Sequence, residues 1–151
     1  RSHCERSGSG RGNTQSNADN NEESAQNQAR SEFHGSHVGL DVIVDALAQA
    51  QQSGDRWCEA ELHRIQGELL QMQDAPADRI QACFEEAIAV ARSQEAKSWE
   101  LRATVSLCRL WQRQGETAEA LRTLSTIFDW FSEGFDTPDL QDAKALLDAL
   151  A

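Results

Sequence analysis

The segment WCEAELHRIQGELLQMQ, residues 57–73, decides the fold class of this chain. Its apolar positions follow one another at spacings of 4, 3, 4 and 3, and they are Cys58, Leu62, Ile65, Leu69 and Met72. Because an α-helix turns once every 3.6 residues, this spacing places all five side chains on one face. The segment is therefore predicted to form an amphipathic helix.

The same periodicity continues on both sides of this segment and predicts an all-α protein. The predicted helices cover about 40–53, 57–73, 77–94, 97–114, 117–132 and a last stretch that begins at Pro138. Gly54, Gly115 and Gly134 stand where helices end, and Thr137 is a suitable N-cap for the last one. Val, Thr and aromatic residues never alternate as a half-buried strand requires.

Turns of two to five residues force each helix to run antiparallel to the next, so the chain is expected to form three helical hairpins that stack on one another. A weak internal repeat supports the stacking, since Gly67 and Cys108 hold equivalent small-residue positions 41 residues apart. That spacing exceeds the roughly 34 residues of the standard tetratricopeptide unit. The predicted core residues are Leu69, Phe84, Leu107, Trp111 and Phe131.

Two groups of residues resemble known repeat proteins. Residues 83–91, CFEEAIAVA, resemble the second helix of a tetratricopeptide repeat, and Gly67 resembles the small packing residue of its first helix. Residues 57–70, with ELRA at 100–103, RLW at 109–111 and EGFDTPDL at 133–140, resemble the C-terminal helical-repeat region of large bacterial signalling ATPases. Trp111, where a Tyr is common, and one extra residue in the turn from Asp74 to Arg79 depart from the standard repeat.

The resemblance covers residues 40 to 151 and implies a right-handed, tetratricopeptide-like solenoid. In that family the region follows a nucleotide-binding ATPase domain, often with a class III adenylate or guanylate cyclase domain, or occurs in transcriptional regulators. It implies a non-catalytic, cytoplasmic module for protein–protein interaction or regulation. Since the chain begins with Arg1 and its one methionine is Met72, we expect a fragment of a longer array. A small helical enzyme and a transcriptional-regulator repeat are the alternative functions.

Composition divides the chain near residue 38 and excludes several classes of partner. Residues 1–38 are rich in Ser, Asn, Gln and Gly with Phe33 as their large apolar side chain, which predicts a disordered polar tail before a helical domain at 39–151. Lys and Arg total 14 against 25 Asp and Glu, a net charge of −11, so direct nucleic-acid binding is not expected. No apolar run reaches the roughly 18 residues of a membrane span.

No motif predicts catalysis or a cofactor. The chain lacks a GxxxxGK[ST] phosphate loop, because residues 8–12, GSGRG, are not followed by Lys and Ser or Thr. Glu59 and His63, one helical turn apart, fit a surface ion pair better than a base and its orienting carboxylate. Other acidic pairs fit solvated helix faces, namely Glu85 with Glu86 and Asp139 with Asp142.

Metal and base-stacking sites are also not expected. The cysteines lack a CxxC pair and are interpreted as small buried apolar residues; they are Cys4, Cys58, Cys83 and Cys108. The histidines of the tail have no fitting local ligand set, and they are His3, His34 and His37. The tryptophans are interpreted as packing residues rather than stacking platforms, and they are Trp57, Trp99, Trp111 and Trp130.

The partner-binding groove is expected on the first helix of each hairpin, as in tetratricopeptide repeats. The groove residues are Glu61, Arg64, Glu68, Gln71, Arg102, Val105, Arg109, Gln112 and Arg113. Four arginines on one face could bind an acidic peptide through bidentate contacts. Alternatively, they pair with nearby acids such as Glu61, Glu68 and Glu100.

The expected partner is a protein or peptide, or the upstream domains of the parent chain. Self-association through the first helix is also expected, because a cut array exposes an apolar face there. That face would carry Leu40, Ile43, Val44 and Leu47.

Overall fold

A computed structural model of the chain describes residues 38–54 and 56–151, and within those ranges all regular structure is α-helical. The helices are α1 at 38–53, α2 at Glu59–Met72, α3 at Ala77–Ser93, α4 at Lys97–Gln114, α5 at Thr117–Phe128 and α6 at Pro138–Leu150. The all-α class is confirmed. The predicted tail lies outside the described residues except for Val38, which is already in α1.

Helix α4 lies at the centre of the packing. It contacts α3 and α5, its neighbours in sequence, and it also contacts α2 and α6, which are one helix further away along the chain. Nine of its residues are buried, running from Glu100 and Leu101 to Leu110. Helices α2, α4 and α6 therefore form a row, with α3 packed against α2 and α4 and α5 packed against α4 and α6.

The core consists of two principal clusters that share α4. One joins α4 to α5 and α6 around Leu101, Cys108 and Leu124, and the other joins α2 and α3 to α4 around Phe84 and Leu107. The buried positions predicted for Phe84 and Leu107 are confirmed, at 0% and 2% exposure.

The other three predicted core residues are only half-buried. Leu69 turns toward α1, where its side chain lies 3.2 Å from the position of a β-carbon on Gly39. Trp111 packs at the margin of both clusters, and Phe131 follows α5 rather than belonging to it. Helix α5 ends at Phe128, four residues before the predicted end, and Phe131 packs against the cluster from a loop.

The buried face of α2 differs from its apolar stripe. The residues of α2 that reach the core are Glu59, Ala60, Gly67 and Leu70. Met72, the last member of the stripe, is 64% exposed. Small residues thus face α3, because a close approach between two helices leaves no room for large side chains on both.

Gly67 and Phe84 set that close approach. A β-carbon on Gly67 would lie 2.5 Å from Cε1 of Phe84, which no real contact permits. In the following hairpin, Cys108 stands 41 residues after Gly67 and Leu124 stands 40 residues after Phe84, and both are fully buried in one cluster. A larger residue on the first helix therefore accompanies a smaller residue on the second. The difference between 41 and 40 is the extra residue in the turn from α2 to α3.

The predicted self-association face of α1 is only partly exposed. Leu47 is buried, and Leu40 and Ile43 are half-buried, so these three side chains pack inward. Val44 is 52% exposed, together with Val38 and Val42. None of the described helices combines the length and the apolar character needed to cross a bilayer.

Candidate functional site

The row of α2, α4 and α6 brings the predicted groove residues onto one surface, which we name the α2–α4–α6 face. It carries Glu61, Arg64, Glu68 and Gln71 from α2, and Arg102, Val105, Arg109, Gln112 and Arg113 from α4. Side chains from the two helices meet directly, since Arg102 Nη2 lies 3.0 Å from Glu61 Oε1. The nine residues thus lie on adjacent helices; their binding role stays a prediction.

A hollow of about 440 Å³ lies between α2 and α4. Phe84 and Met72 contribute its apolar surface. Five of the predicted groove residues line it, namely Glu68, Gln71, Arg109, Gln112 and Arg113. Because the hollow combines apolar surface with amides and guanidinium groups, it can accept an apolar side chain while bonding to a peptide backbone.

A second hollow of about 140 Å³ lies where α6 joins the face. Val105 lines this hollow but is only 4% exposed, so it contributes apolar surface rather than a projecting contact. Asp139 and Asp142 of α6 line the opposite side. These two aspartates were not among the predicted groove residues, although the stacked arrangement would place α6 beside α4.

The arginines of the face are largely paired with acids. Arg64 bonds to Glu61 through Nε at 2.9 Å and Nη2 at 2.7 Å, and it also bonds to Glu68. Its hydrogen bond to Glu61 is the main reason that the pKa of Arg64 is raised. Arg102 is shared between Glu61 and Asp139, and Arg109 binds Asp142.

The α2–α4–α6 face is therefore balanced in charge rather than basic. Its four arginines face four carboxylates, which are Glu61, Glu68, Asp139 and Asp142. Arg113 is different, because no hydrogen bond or ion pair joins it to another residue in the described ranges. An acidic partner would meet one uncommitted guanidinium beside the larger hollow and would have to compete for the others.

Two carboxylates are buried at the N-terminal ends of α2 and α4, and sequence reasoning missed both. Glu59, 2% exposed, accepts hydrogen bonds from Arg56 Nε at 2.6 Å and Nη2 at 3.1 Å. These bonds lower the pKa of Glu59, although burial opposes the shift. The predicted surface pairing with His63 is thus replaced by a buried pairing with Arg56.

Glu100 holds the equivalent position in α4, 41 residues later, and is 4% exposed. Its Oε1 accepts a bond from Arg92 Nε and its Oε2 one from Lys97 Nζ, both at 2.7 Å. Burial alone raises the pKa of Glu100, but the bonds from Arg92 and Lys97 outweigh burial and leave it lowered. Repeated acids at position 41 are a signal that could have found this pair.

The remaining candidate groups are not brought together. Glu85 and Glu86 are exposed on α3, as predicted for a solvated face. Cys108 is fully buried, and burial raises the pKa of its thiol to about 12; Cys58 and Cys83 are half-buried. Across residues 38–54 and 56–151, no three His, Cys, Asp or Glu side chains are grouped as a metal site requires. The tail residues His3, Cys4, His34 and His37 lie outside the described ranges.

The tryptophans divide into two classes. Trp99 and Trp111 are half-buried, which agrees with a packing role, whereas Trp57 and Trp130 are 66% and 60% exposed. The rings of Trp57 and Trp99 contact each other with their centroids 6.0 Å apart. The packing interpretation is therefore wrong for Trp57 and Trp130.

Comparison with known proteins adds no relative. No protein-family model, no curated protein and no solved structure matches this chain.

Proposed function

We propose that residues 38–151 form a tetratricopeptide-like solenoid that binds a protein segment on the α2–α4–α6 face. The row of first helices, with α3 and α5 behind it, is what stacked hairpins produce. The observation that carries the proposal is the pairing of this row with a hollow of about 440 Å³ that opens between α2 and α4.

The module is proposed to be non-catalytic and to act in regulation within a larger bacterial signalling protein of the ATPase or nucleotide-cyclase type. The resemblance of residues 57–70 and 133–140 to that class supports the assignment. Its partner would then be another protein or a domain of the same parent chain. The cytoplasm is the proposed location, since such signalling proteins act there.

The chemistry of the face favours an extended segment that carries both an apolar side chain and a carboxylate. An apolar side chain would contact Met72 and Phe84 in the hollow. A carboxylate would bind Arg113, which is uncommitted, and would compete with Asp142 for Arg109. Gln71 and Gln112 would bond to the peptide backbone, since each amide both donates and accepts.

Selection of binders from a displayed random peptide library against the whole chain tests this proposal. Selected peptides should lose at least about tenfold in affinity when Arg109 and Arg113 are both changed to Glu, which corresponds to about 1.4 kcal/mol. The matched control reverses two arginines of the second helices, Arg79 on α3 and Arg122 on α5, and should leave affinity unchanged.

Two results would contradict the proposal. One is a set of peptides whose affinity falls with the control variant and not with the Arg109 and Arg113 variant. The other is hydrolysis of ATP, or its cyclisation, by the purified chain above a buffer blank, which would support the alternative of a small helical enzyme.

A further inference from the structure

A second cavity, of about 630 Å³, lies at the ends of α2 and α4 that carry their N-termini, away from the α2–α4–α6 face. We name it the tryptophan cleft and define it by Arg56, Trp57, Gln94, Lys97, Ser98 and Trp99. It shares no lining residue with either hollow of the α2–α4–α6 face. Its occupant is therefore a question separate from the proposed function.

The apolar wall of the cleft is a pair of indole rings. Trp99 is anchored, because it packs on a small cluster formed by Ala60, Val90 and Ala91. Trp57 leans on Trp99 with an interplanar angle of 36° and leaves two thirds of its own surface in solvent. An exposed tryptophan beside a cavity is unfavourable for an isolated domain and typical of a binding hot spot.

The wall is held in place by a contact between the two turns that form it. Gln94, just after α3, donates from Nε2 to the backbone carbonyl of Arg56 at 2.6 Å. Arg56 is in turn fixed by its two bonds to Glu59 at the start of α2. The cleft is thus formed before any ligand arrives, so binding would cost little ordering.

The charged groups that line the cleft are cations. Arg56 is 57% exposed while its partner Glu59 is 3% exposed, and Lys97 is 32% exposed while Glu100 is 5% exposed. Each carboxylate therefore lies beneath its cation, and a ligand meets the cation first. Glu100 is shared with Arg92, so two positive groups surround one negative group there.

The uncharged polar groups of the cleft are also free to donate. Within the described part of the chain, the indole N–H groups of Trp57 and Trp99 and the hydroxyl of Ser98 have no hydrogen-bond partner. With Arg56 and Lys97, this surface offers donors and cations around an aromatic wall. Its complement is a ligand rich in acceptors and negative charge that also carries an apolar group.

We propose that the tryptophan cleft binds a short, extended, acidic segment of another protein, in which an apolar side chain is flanked by Asp or Glu. The apolar side chain rests on Trp57 and Trp99, and the flanking carboxylates bind Arg56 and Lys97. Single-stranded nucleic acid shares the acceptors and the flat rings, but a chain of net charge −11 repels it.

Fluorescence anisotropy with three labelled peptides and the whole chain tests the proposal. The acidic probe is GEDEFLEDE, its charge-inverted partner is GKRKFLKRK, and its partner without the apolar pair is GEDESGEDE. The first should bind at least about tenfold more tightly than either of the others, because both features of the cleft are needed. Its affinity should fall as salt rises, because the ion pairs are screened.

Variants of the cleft locate the binding. Trp57→Ser should weaken the acidic probe at least about tenfold and Trp57→Phe much less, because a phenyl ring preserves the aromatic wall. Lys97→Gln should weaken binding and reduce its salt dependence. Met72→Ser is the matched control, since Met72 is equally exposed but lies on the α2–α4–α6 face. Circular dichroism of each variant establishes that it is folded.

Several outcomes would overturn the proposal. They are equal binding of the three peptides, no saturable binding of the acidic probe at about 1 mM, and unchanged affinity in a folded Trp57→Ser variant. Tighter binding of a nine-nucleotide single-stranded RNA would assign the cleft to nucleic acid instead. Sedimentation that shows self-association lost in Trp57→Ser would assign it to a second copy of the chain.

Discussion

Gly67 on α2 and Phe84 on α3 are so close that the ring of Phe84 occupies the space where any other residue at position 67 would place its β-carbon. Phe84 has no solvent exposure, and Leu70 and Ile80 belong to the same cluster. Since a phenyl ring packed on all sides cannot move a few tenths of an ångström freely, this contact determines how near the two helices lie.

Gly67→Ala is therefore expected to destabilise the chain by about 1–3 kcal/mol, as overpacking does, despite the better helix propensity of Ala. Phe84→Leu should relieve the clash, since Leu124 stands at the equivalent position opposite Cys108. Urea denaturation of both single variants and the double variant measures the coupling. Strict additivity of the two changes would show that the residues do not compete for space.

Truncation separates the fully buried aromatic residue from the half-buried one. Phe84→Ala should cost about 3–5 kcal/mol, because it leaves a cavity between α2, α3 and α4. Trp111→Ala should cost less, since part of the ring already faces solvent and its Nε1 makes only a 3.4 Å hydrogen bond to Gln81. The two denaturation midpoints, measured together, decide this order; a reversed order would contradict the core assignment.

Glu95 ends the turn between α3 and α4 with a φ of +55°, in the left-handed region that side chains disfavour. Glu95→Gly should raise stability by about 1 kcal/mol, because glycine adopts this conformation without a steric cost. Thermal melts provide the measurement. Gln94→Gly, one residue earlier at a φ of −92°, is the matched control and should lower stability instead.

Acid sensitivity should depend on Glu100. Because its pKa in the folded chain lies below the ordinary value of 4.5, its contribution is complete above about pH 4.5 and is lost as pH falls through the lowered pKa. Glu100→Gln should cost about 1–3 kcal/mol at pH 7, and that gap should shrink below pH 4.5. Urea titrations across pH 3 to 7 measure both effects.

The control for this prediction is Glu119→Gln, which breaks an ion pair with Arg122 on the exposed surface of α5. It should change stability by less than about 1 kcal/mol at every pH. A gap for Glu100→Gln that stays constant between pH 3 and pH 7 would show that the carboxylate contributes nothing as an ion.

Cys108 should resist alkylation in the folded chain. Burial raises the pKa of its thiol to about 12, so almost no reactive thiolate is present at neutral pH, and its surface is fully covered. Labelling with iodoacetamide, read by mass spectrometry, should modify Cys108 only after denaturant is added. Modification at equal rates in the native and unfolded chains would contradict its place in the core.

Periodicity was sufficient to predict the helices, because glycines and proline mark most of their ends. It was insufficient for the orientation of α2, since the pattern counts Leu62, Ile65 and Leu69 as the core face while Gly67 carries no apolar side chain to count. The structure buries the Gly67 side because close helix approach requires small residues there. A rule based on side-chain hydrophobicity cannot detect a contact made by the absence of a side chain.

The candidate surfaces were predictable to different degrees. The grouping of Arg64, Arg102 and Arg109 followed from hairpin geometry alone, but their pairing with acids of α6 depends on a helix-to-helix register that spacing along the chain does not specify. The tryptophan cleft was missed because Trp57 and Trp99 fall at helix ends, where helical periodicity carries no information about exposure.

The complementary sizes at Gly67 with Phe84 and at Cys108 with Leu124 restrict how this chain can be recombined. A crossover that joined α4 to α3 would oppose Cys108 to a phenyl ring, and one that joined α2 to α5 would oppose Gly67 to a leucine and leave a void. Each hairpin is therefore inherited as a unit. Duplication or exchange of segments is tolerated only when the break falls between hairpins, at the turn from α3 to α4, and not within one.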